Sequence, residues 1–133
     1  MVWVRAPRRG LYDVTREVAR VVEKSGVDVG LCNVFIRHTS ASLCIQENAD
    51  PTARQDLEEF FDKLVPEDTP WFRHTHEGPD DMPSHIKSAL TAVSLDVPVR
   101  NGRLALGTWQ GIYLWEHRDD PGRREIVVTV REL

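Results

Sequence analysis

Cysteine is scarce in this chain, with only Cys32 and Cys44 among 133 residues. Both lie in apolar, strand-like runs, so they read as buried reduced thiols and not as a disulfide framework. No apolar run approaches the ~20 residues that a membrane helix needs, which removes the bilayer as a partner. Met1 to Arg9 contains no apolar signal core, so the expected location is the cytoplasm. Positive charge is not in excess: 17 Lys and Arg stand against 21 Asp and Glu, a net charge of −4. Duplex binding relies on a basic footprint, so nucleic acid is not an expected partner. Glycine-rich phosphate loops are missing. Ser40 and Ser42 lie near His38 without the glycine-flanked turn of a nucleophile elbow. Repeats and low-complexity tracts are absent, and the length is too short for a (β/α)₈ barrel. A single domain spanning 1–133 is the expectation.

What is present is clear periodicity. Val2–Val4 opens as a short strand. Asp13 can cap a helix running to about Lys24, with Val14, Val18, Val21 and Val22 at helical spacing and Ser25-Gly26 as the stop. Leu31–His38 alternates as a strand, with Cys32, Val34, Ile36 and His38 on one face, and Leu43–Glu47 is a second run. Asp50-Pro51 places a capping Asp before a Pro at the first helical position. Ala53, Leu57, Phe60, Phe61 and Leu64 form that helix's apolar stripe, and Pro66 ends it. Pro66–Pro83 has no period and is rich in proline and acid, the mark of a functional or disordered loop. A short helix over about 84–92 is expected to turn Ile86, Ala89, Leu90 and Val93 inward. Leu95, Val97 and Val99 alternate, Asn101-Gly102 signals a hairpin, and Leu104 and Leu106 continue its partner strand. Strands over 111–118 and around Ile126–Val130 follow, separated by the Asp119–Gly122 turn. About seven strands and three helices give an α+β class, mostly an antiparallel β-sandwich.

The chemistry concentrates at histidine. His74, His76 and His85 fall close together with Glu77, Asp80 and Asp81 between them, a set with ligand chemistry. The spacing is not that of a zinc protease, because Gly78-Pro79 follows His76-Glu77; the plain alternative is a solvated acidic loop. His38 ends a strand beside Thr39-Ser40 and is a ligand, a base or a hydrogen-bonded structural residue. His117 reads as a surface residue at a strand end. Gly107-Thr108-Trp109-Gln110-Gly111 can present backbone N–H groups to an anion or form a sheet corner. Arg118, Arg123 and Arg124 crowd the last turn, where arginine is a natural diphosphate clamp. Trp109 and Tyr113 either stack on a ring or belong to the core.

Three segments resemble the YjbQ family: His38–Leu43 with Gln46–Pro51, His76–Lys87, and Asn101–Ile112 with Glu116-His117-Arg118. The match runs over nearly the whole chain in the family's order. The resemblance implies a cytosolic homotrimer with a jelly-roll-like sandwich. It also implies a secondary thiamine-phosphate synthase activity, a transfer that joins a hydroxymethylpyrimidine diphosphate to a thiazole phosphate and releases pyrophosphate. His38, His74 and His85 match the family's recurrent histidines and become the expected ligands of a divalent metal ion, zinc or magnesium. Glu47, Glu77, Asp81 and Arg118 become the expected catalytic residues. Thr39, Lys87, Trp109 and Gln110 are the expected contacts to a phosphorylated small-molecule substrate, at a site between subunits. Histidine ligands suit zinc, nickel or iron better than magnesium. The alternatives are a metal-dependent hydrolase of a phosphate ester or amide, with Glu47 or Glu77 activating water, and a metal-binding trimer without turnover.

Overall fold

Two-residue alternation builds the larger of two sheets. The computed structural model describes every residue from Met1 to Leu133. In chain order the elements are β1 (Val2–Val4), β2 (Gly10–Asp13), α1 (Thr15–Ser25), β3 (Gly30–Ile36), β4 (Ala41–Glu47), α2 (Pro51–Leu64), α3 (Asp81–Leu90), β5 (Ser94–Arg100), β6 (Arg103–Leu104), β7 (Gln110–Glu116) and β8 (Arg124–Glu132). The strands form a five-stranded sheet, β1-β8-β3-β5-β6, and a three-stranded sheet, β2-β7-β4. Every pairing is antiparallel. The class is therefore α+β with mostly antiparallel sheets, as the pattern predicts.

Between the sheets lies one cluster of 16 buried residues. The large sheet contributes Cys32, Val34, Ile36, Val97, Val99, Ile126 and Val128, and the small sheet contributes Ala41, Leu43, Ile112 and Leu114. Val18 and Val22 of α1 close it, so the helical spacing of the valines does what it predicts. The other face of the small sheet carries Leu11, Tyr113 and Trp115, covered by Leu57 and Phe61 of α2. Covered on both faces, β7 buries six consecutive residues from Gly111 to Glu116 and shows no alternation. Cys32 is buried, Cys44 is partly buried, and both are free thiols. No helix is long and apolar enough to cross a membrane.

Several boundaries differ from expectation. β2 is an additional strand, only four residues long. Leu106 lies outside β6. Val14 occupies the N-cap of α1, while Asp13 Oδ1 accepts the Thr15 N–H at 2.9 Å. Asp50 caps α2 as predicted, its side chain accepting from Thr52 N–H. α3 begins at Asp81, three residues before the expected start, with Pro83 in its first turn where a missing N–H costs nothing. Its buried face is Asp81, Pro83, Ser84, Lys87 and Ser88. The expectation that Ile86, Ala89, Leu90 and Val93 point inward is overturned: Leu90 and Val93 are exposed. The helix packs through polar side chains, of which Asp81, Ser84 and Lys87 are hydrogen-bonded and the Ser88 hydroxyl is not, and an apolar stripe says nothing about that arrangement.

Candidate metal centre

The early start of α3 sets the site. Asp81 occupies its first turn, and one turn later His85 lies on the same face. The preceding loop brings in His74 and Glu77. One ligand atom from each of these four residues lies within 4.8 Å of the other three. Asp81 is 1% exposed. Its Oδ2 is 2.6 Å from His74 Nε2 and 3.1 Å from His85 Nε2. Glu77 Oε2 is 3.5 Å from His74 Nε2.

The protonation of His85 tests whether these residues fit a metal. His85 Nδ1 is 2.8 Å from the Thr39 carbonyl oxygen, which can only accept, so Nδ1 carries the proton. In the neutral ring, Nε2 then presents a lone pair to a carboxylate oxygen. Two lone pairs facing each other need a cation or an added proton between them. Metal-ligating histidines commonly donate their second N–H to a carbonyl or carboxylate, and the Thr39 carbonyl fills that role. Two imidazoles and two carboxylates are a donor set for a zinc-like ion.

Arg118 stabilises the carboxylate from the other side. Its Nη1 donates to Asp81 Oδ1 at 2.7 Å, its Nε to Asp80 Oδ2 at 3.0 Å, and its Nη2 to the Glu77 carbonyl at 3.0 Å. Burial works to raise the Asp81 carboxyl. Hydrogen bonds with Glu77 and His74 and the charges of His85 and Arg118 outweigh it and hold the group below its ordinary range. Asp80 is also buried and also held low, by the Asp119 N–H and by Arg118. Both carboxylates therefore stay ionised at neutral pH.

The other expected residues fall elsewhere. His38 does not join the cluster. Its Nε2 accepts the Glu125 N–H at 2.8 Å, so the neutral ring has no lone pair left for a metal. Its Nδ1 lies 3.4 Å from Arg124, and burial and that guanidinium lower its pKa. Arg118 belongs to the site, but with its donors facing Asp80, Asp81 and the Glu77 carbonyl it positions Asp81 and is not a free clamp. Arg124 pairs with buried Glu116 at 2.6 Å, and Arg123 lies over the Trp3 ring. Thr39 contributes its carbonyl. Lys87 is buried and reaches Asp62 at 2.7 Å, away from the four-residue cluster.

Glu47 and Gln110 pair across β4 and β7, whereas the opposite end of those strands pairs Ala41 with Glu116. The two ends are roughly 20 Å apart at the usual rise per residue. Glu47 Oε2 accepts the Asp50 N–H at 2.8 Å, beside the start of α2. Gln110 Oε1 takes the Gly107 N–H at 2.8 Å, so the Gly107–Gly111 turn closes on itself and offers no anion nest there. Trp109 is exposed and Tyr113 is buried in the core. His76 is exposed, whereas His117 is 1% exposed, against the surface reading of that residue. Sequence reasoning missed Asp119, whose backbone N–H ties the strand end to Asp80, and the part that Asp80 plays in holding Arg118. The Asp81–His85 spacing of four was the available signal, hidden by placing the helix start three residues late.

The family model described as "UPF0047 protein YjbQ-like" matches residues 1–132. A UPF0047 protein of Synechocystis is 57% identical over 122 residues, covering 92% of this chain and 83% of its own. The UPF0047 protein YjbQ of Escherichia coli O157:H7 is 47% identical over 127 residues, 95% of this chain and 91% of its own. Among solved structures, an uncharacterized YjbQ/UPF0047 protein of Clostridium acetobutylicum superposes with a TM-score of 0.87 at 34% identity, covering 98% of this chain and 100% of that one. A hypothetical protein of Aeropyrum pernix K1 superposes at 0.89 and 31% identity, covering 99% and 96%.

Proposed function

The chain belongs to the YjbQ-like UPF0047 family, and on that footing we propose that it is a metal-dependent enzyme of the secondary thiamine-phosphate synthase kind. The observation that carries the metal is the meeting of His74 Nε2 and His85 Nε2 on one oxygen of buried Asp81. His74, Glu77, Asp81 and His85 would hold a divalent ion of the zinc type. Such an ion supplies positive charge against a departing pyrophosphate. In the transfer, the C–O bond of the pyrimidine diphosphate breaks, a C–N bond to the thiazole phosphate forms, and pyrophosphate carries away the electron pair. Glu77 is the exposed carboxylate of the cluster, and its oxygen not given to the ion would face the cationic pyrimidine. Arg118 keeps Asp81 ionised and oriented.

The site is proposed to be completed by a second copy of the chain, in a cytoplasmic homotrimer. Glu47, Trp109 and Gln110 lie at the far end of the β4–β7 pair, too far to serve the cluster of their own subunit. Leu90, Val93 and Phe35 leave apolar surface exposed, which a neighbouring copy would cover. Sedimentation is expected to give three times 15.2 kDa; an active monomer would overturn this part of the reading.

A second reading is favoured by the exposure of His74 and Glu77, which leaves room for water at the cluster. It is hydrolysis of a phosphate ester or amide, with Glu77 activating the water. One comparison separates the two. Metal analysis of the parent should show bound divalent ion, and Asp81→Asn should lose it. The loaded parent should then make thiamine phosphate from its two precursors. Release of phosphate from an ester without thiamine phosphate would favour the hydrolase, and a parent that holds no divalent ion would refute both.

A further inference from the structure

A cavity of about 210 Å³ lies beside α3, bounded by the approach to β2, by α2 and by the end of β7. It is smaller than the ~300–1,000 Å³ of pockets for drug-sized ligands, so its occupant is small. Phe61 and Trp115 supply an apolar wall, and Arg8, Arg9, Lys87 and His117 supply polar groups. Two of these groups are short of partners. Lys87 is 1% exposed, and its ammonium, with three donors, meets one acceptor, Asp62 Oδ1. His117 is also 1% exposed, and its Nδ1 has no hydrogen-bond partner.

The protonation of His117 follows from a chain of hydroxyls. His117 Nε2 is 2.8 Å from Ser42 Oγ, Ser42 Oγ is 2.7 Å from Thr91 Oγ1, and Thr91 Oγ1 is 2.7 Å from the Lys87 carbonyl oxygen. Thr91 has one proton and the carbonyl can only accept, so that proton goes to the carbonyl. Ser42 must then donate to Thr91, and Nε2–H of His117 to Ser42. Nδ1 is left with a lone pair, buried and in need of a donor. Burial and the nearby charges of Lys87, Arg124 and Arg9 push this imidazole down to about 3, so the lone pair persists at neutral pH.

One ligand chemistry answers both needs: oxygen acceptors for the ammonium and an O–H for the imidazole. We propose that this cavity binds a phosphate that carries a proton, either the free ion or the terminal group of an ester. Lys87, Arg9 and Arg8 face its oxyanion, and His117 Nδ1 accepts its P–OH. Asp62 and Asp119, already engaged by Lys87 and Arg9, and Glu58, which accepts the Leu11 N–H at 2.7 Å, place negative charge at the rim. That charge opposes an oxyanion with no proton to give. The site is distinct from the metal cluster and needs no metal. The two connect through Asp119, whose Oδ1 is 3.0 Å from Arg9 Nη2 and whose N–H donates to Asp80 at 2.9 Å.

The test uses the full chain, stripped of metal by chelation. Hydrogenphosphate and sulfate share shape and charge at about pH 8, where phosphate keeps one proton and sulfate none. Calorimetry is expected to show phosphate binding at least tenfold tighter than sulfate, about 1.4 kcal/mol. Methyl phosphate, titrated at about pH 6 where it carries a proton, distinguishes the source: binding there marks an ester, and binding of phosphate alone marks the free ion. Arg8→Glu, at an exposed position that leaves the fold intact, should weaken phosphate at least tenfold. The nitrogen-15 resonance of His117 Nδ1 should be that of an unprotonated nitrogen and should shift as phosphate is added. Equal affinity for sulfate, no binding of either phosphate at millimolar concentration, indifference to Arg8→Glu, or a protonated Nδ1 would each overturn the proposal. Phosphate selectivity in the stripped chain, from a parent that carries no divalent ion before chelation, would uphold this site while refuting the metal centre, so the two fail separately.

Discussion

At the scale of the residue, Asp81 receives two histidines on one oxygen and a guanidinium on the other. Arg118 can do this because its planar fork reaches Asp81, Asp80 and the Glu77 carbonyl at once, a geometry that a lysine ammonium cannot copy. Arg118→Lys should therefore keep the fold and lower metal affinity roughly 10- to 100-fold, the usual effect of disturbing a ligand's supporting partner. Competition against a chelator measures this, and an unchanged affinity would show that Asp81 is oriented by its helix alone. Composition alone marks His74, His76 and His85 together as a set with ligand chemistry, and the choice of His74 and His85 over His76 rests on the family resemblance. His38 is the hydrogen-bonded structural residue that its sequence setting allows, and the ligand role implied by the resemblance is not met, because the Glu125 N–H, 87 residues away, consumes its lone pair. His117 was misread because it stands just beyond a strand whose two covered faces no local pattern reveals.

At the scale of the element, the alternating and helical runs were read correctly where one face meets the core. β3 and α1 show this, with Cys32, Val34 and Ile36 alternating and Val18 and Val22 one turn apart. Gly30 shows why β3 starts where it does. A Cβ there would meet the Arg131 carbonyl oxygen on β8 and approach Val27 Cγ1 at 2.8 Å. Gly30→Ala should force β3 and β8 apart and cost roughly 1–3 kcal/mol, as overpacking does. The check is a lower urea midpoint at unchanged slope; an unaltered midpoint would mean that the strand end yields freely. Periodicity failed for α3, whose buried face is Asp81, Ser84, Lys87 and Ser88. That face is held by Lys87–Asp62 and Asp81–Arg118, partners contributed by α2 and the end of β7. A helix anchored by ion pairs carries its apolar residues outward, and the sequence gives no local sign of the reversal.

At the scale of the whole molecule, the sandwich buries a polar layer between α3 and the end of the small sheet, and that layer sets its response to acid. His117 ionises at about 3 in the folded chain, against 6.5 for a free imidazole, because burial and the charges of Lys87, Arg124 and Arg9 oppose its protonation. His38 is lowered too, by burial and by Arg124. Below pH 6.5 the unfolded chain therefore binds protons that the folded chain refuses, and stability falls as pH falls. The contribution is fully present above 6.5 and is lost progressively down to about 3, at a slope approaching 1.4 kcal/mol per pH unit for His117. Asp80 and Asp81, both held low, act at the acid end of the same window: their contribution is lost as pH drops below the ordinary carboxylate value of 3.8. A domain stabilised by roughly 5–15 kcal/mol cannot sustain such a slope for long. Unfolding free energy measured in urea should therefore decline steadily from pH 6.5 towards 4, before the carboxylates titrate. His117→Gln, which keeps a polar group beside Ser42 but cannot take up a proton, should flatten most of that decline while lowering stability at pH 7. A variant with the parent's slope would mean that His117 protonates as readily in the folded chain as in the unfolded one, and that the decline above pH 4 belongs to His38.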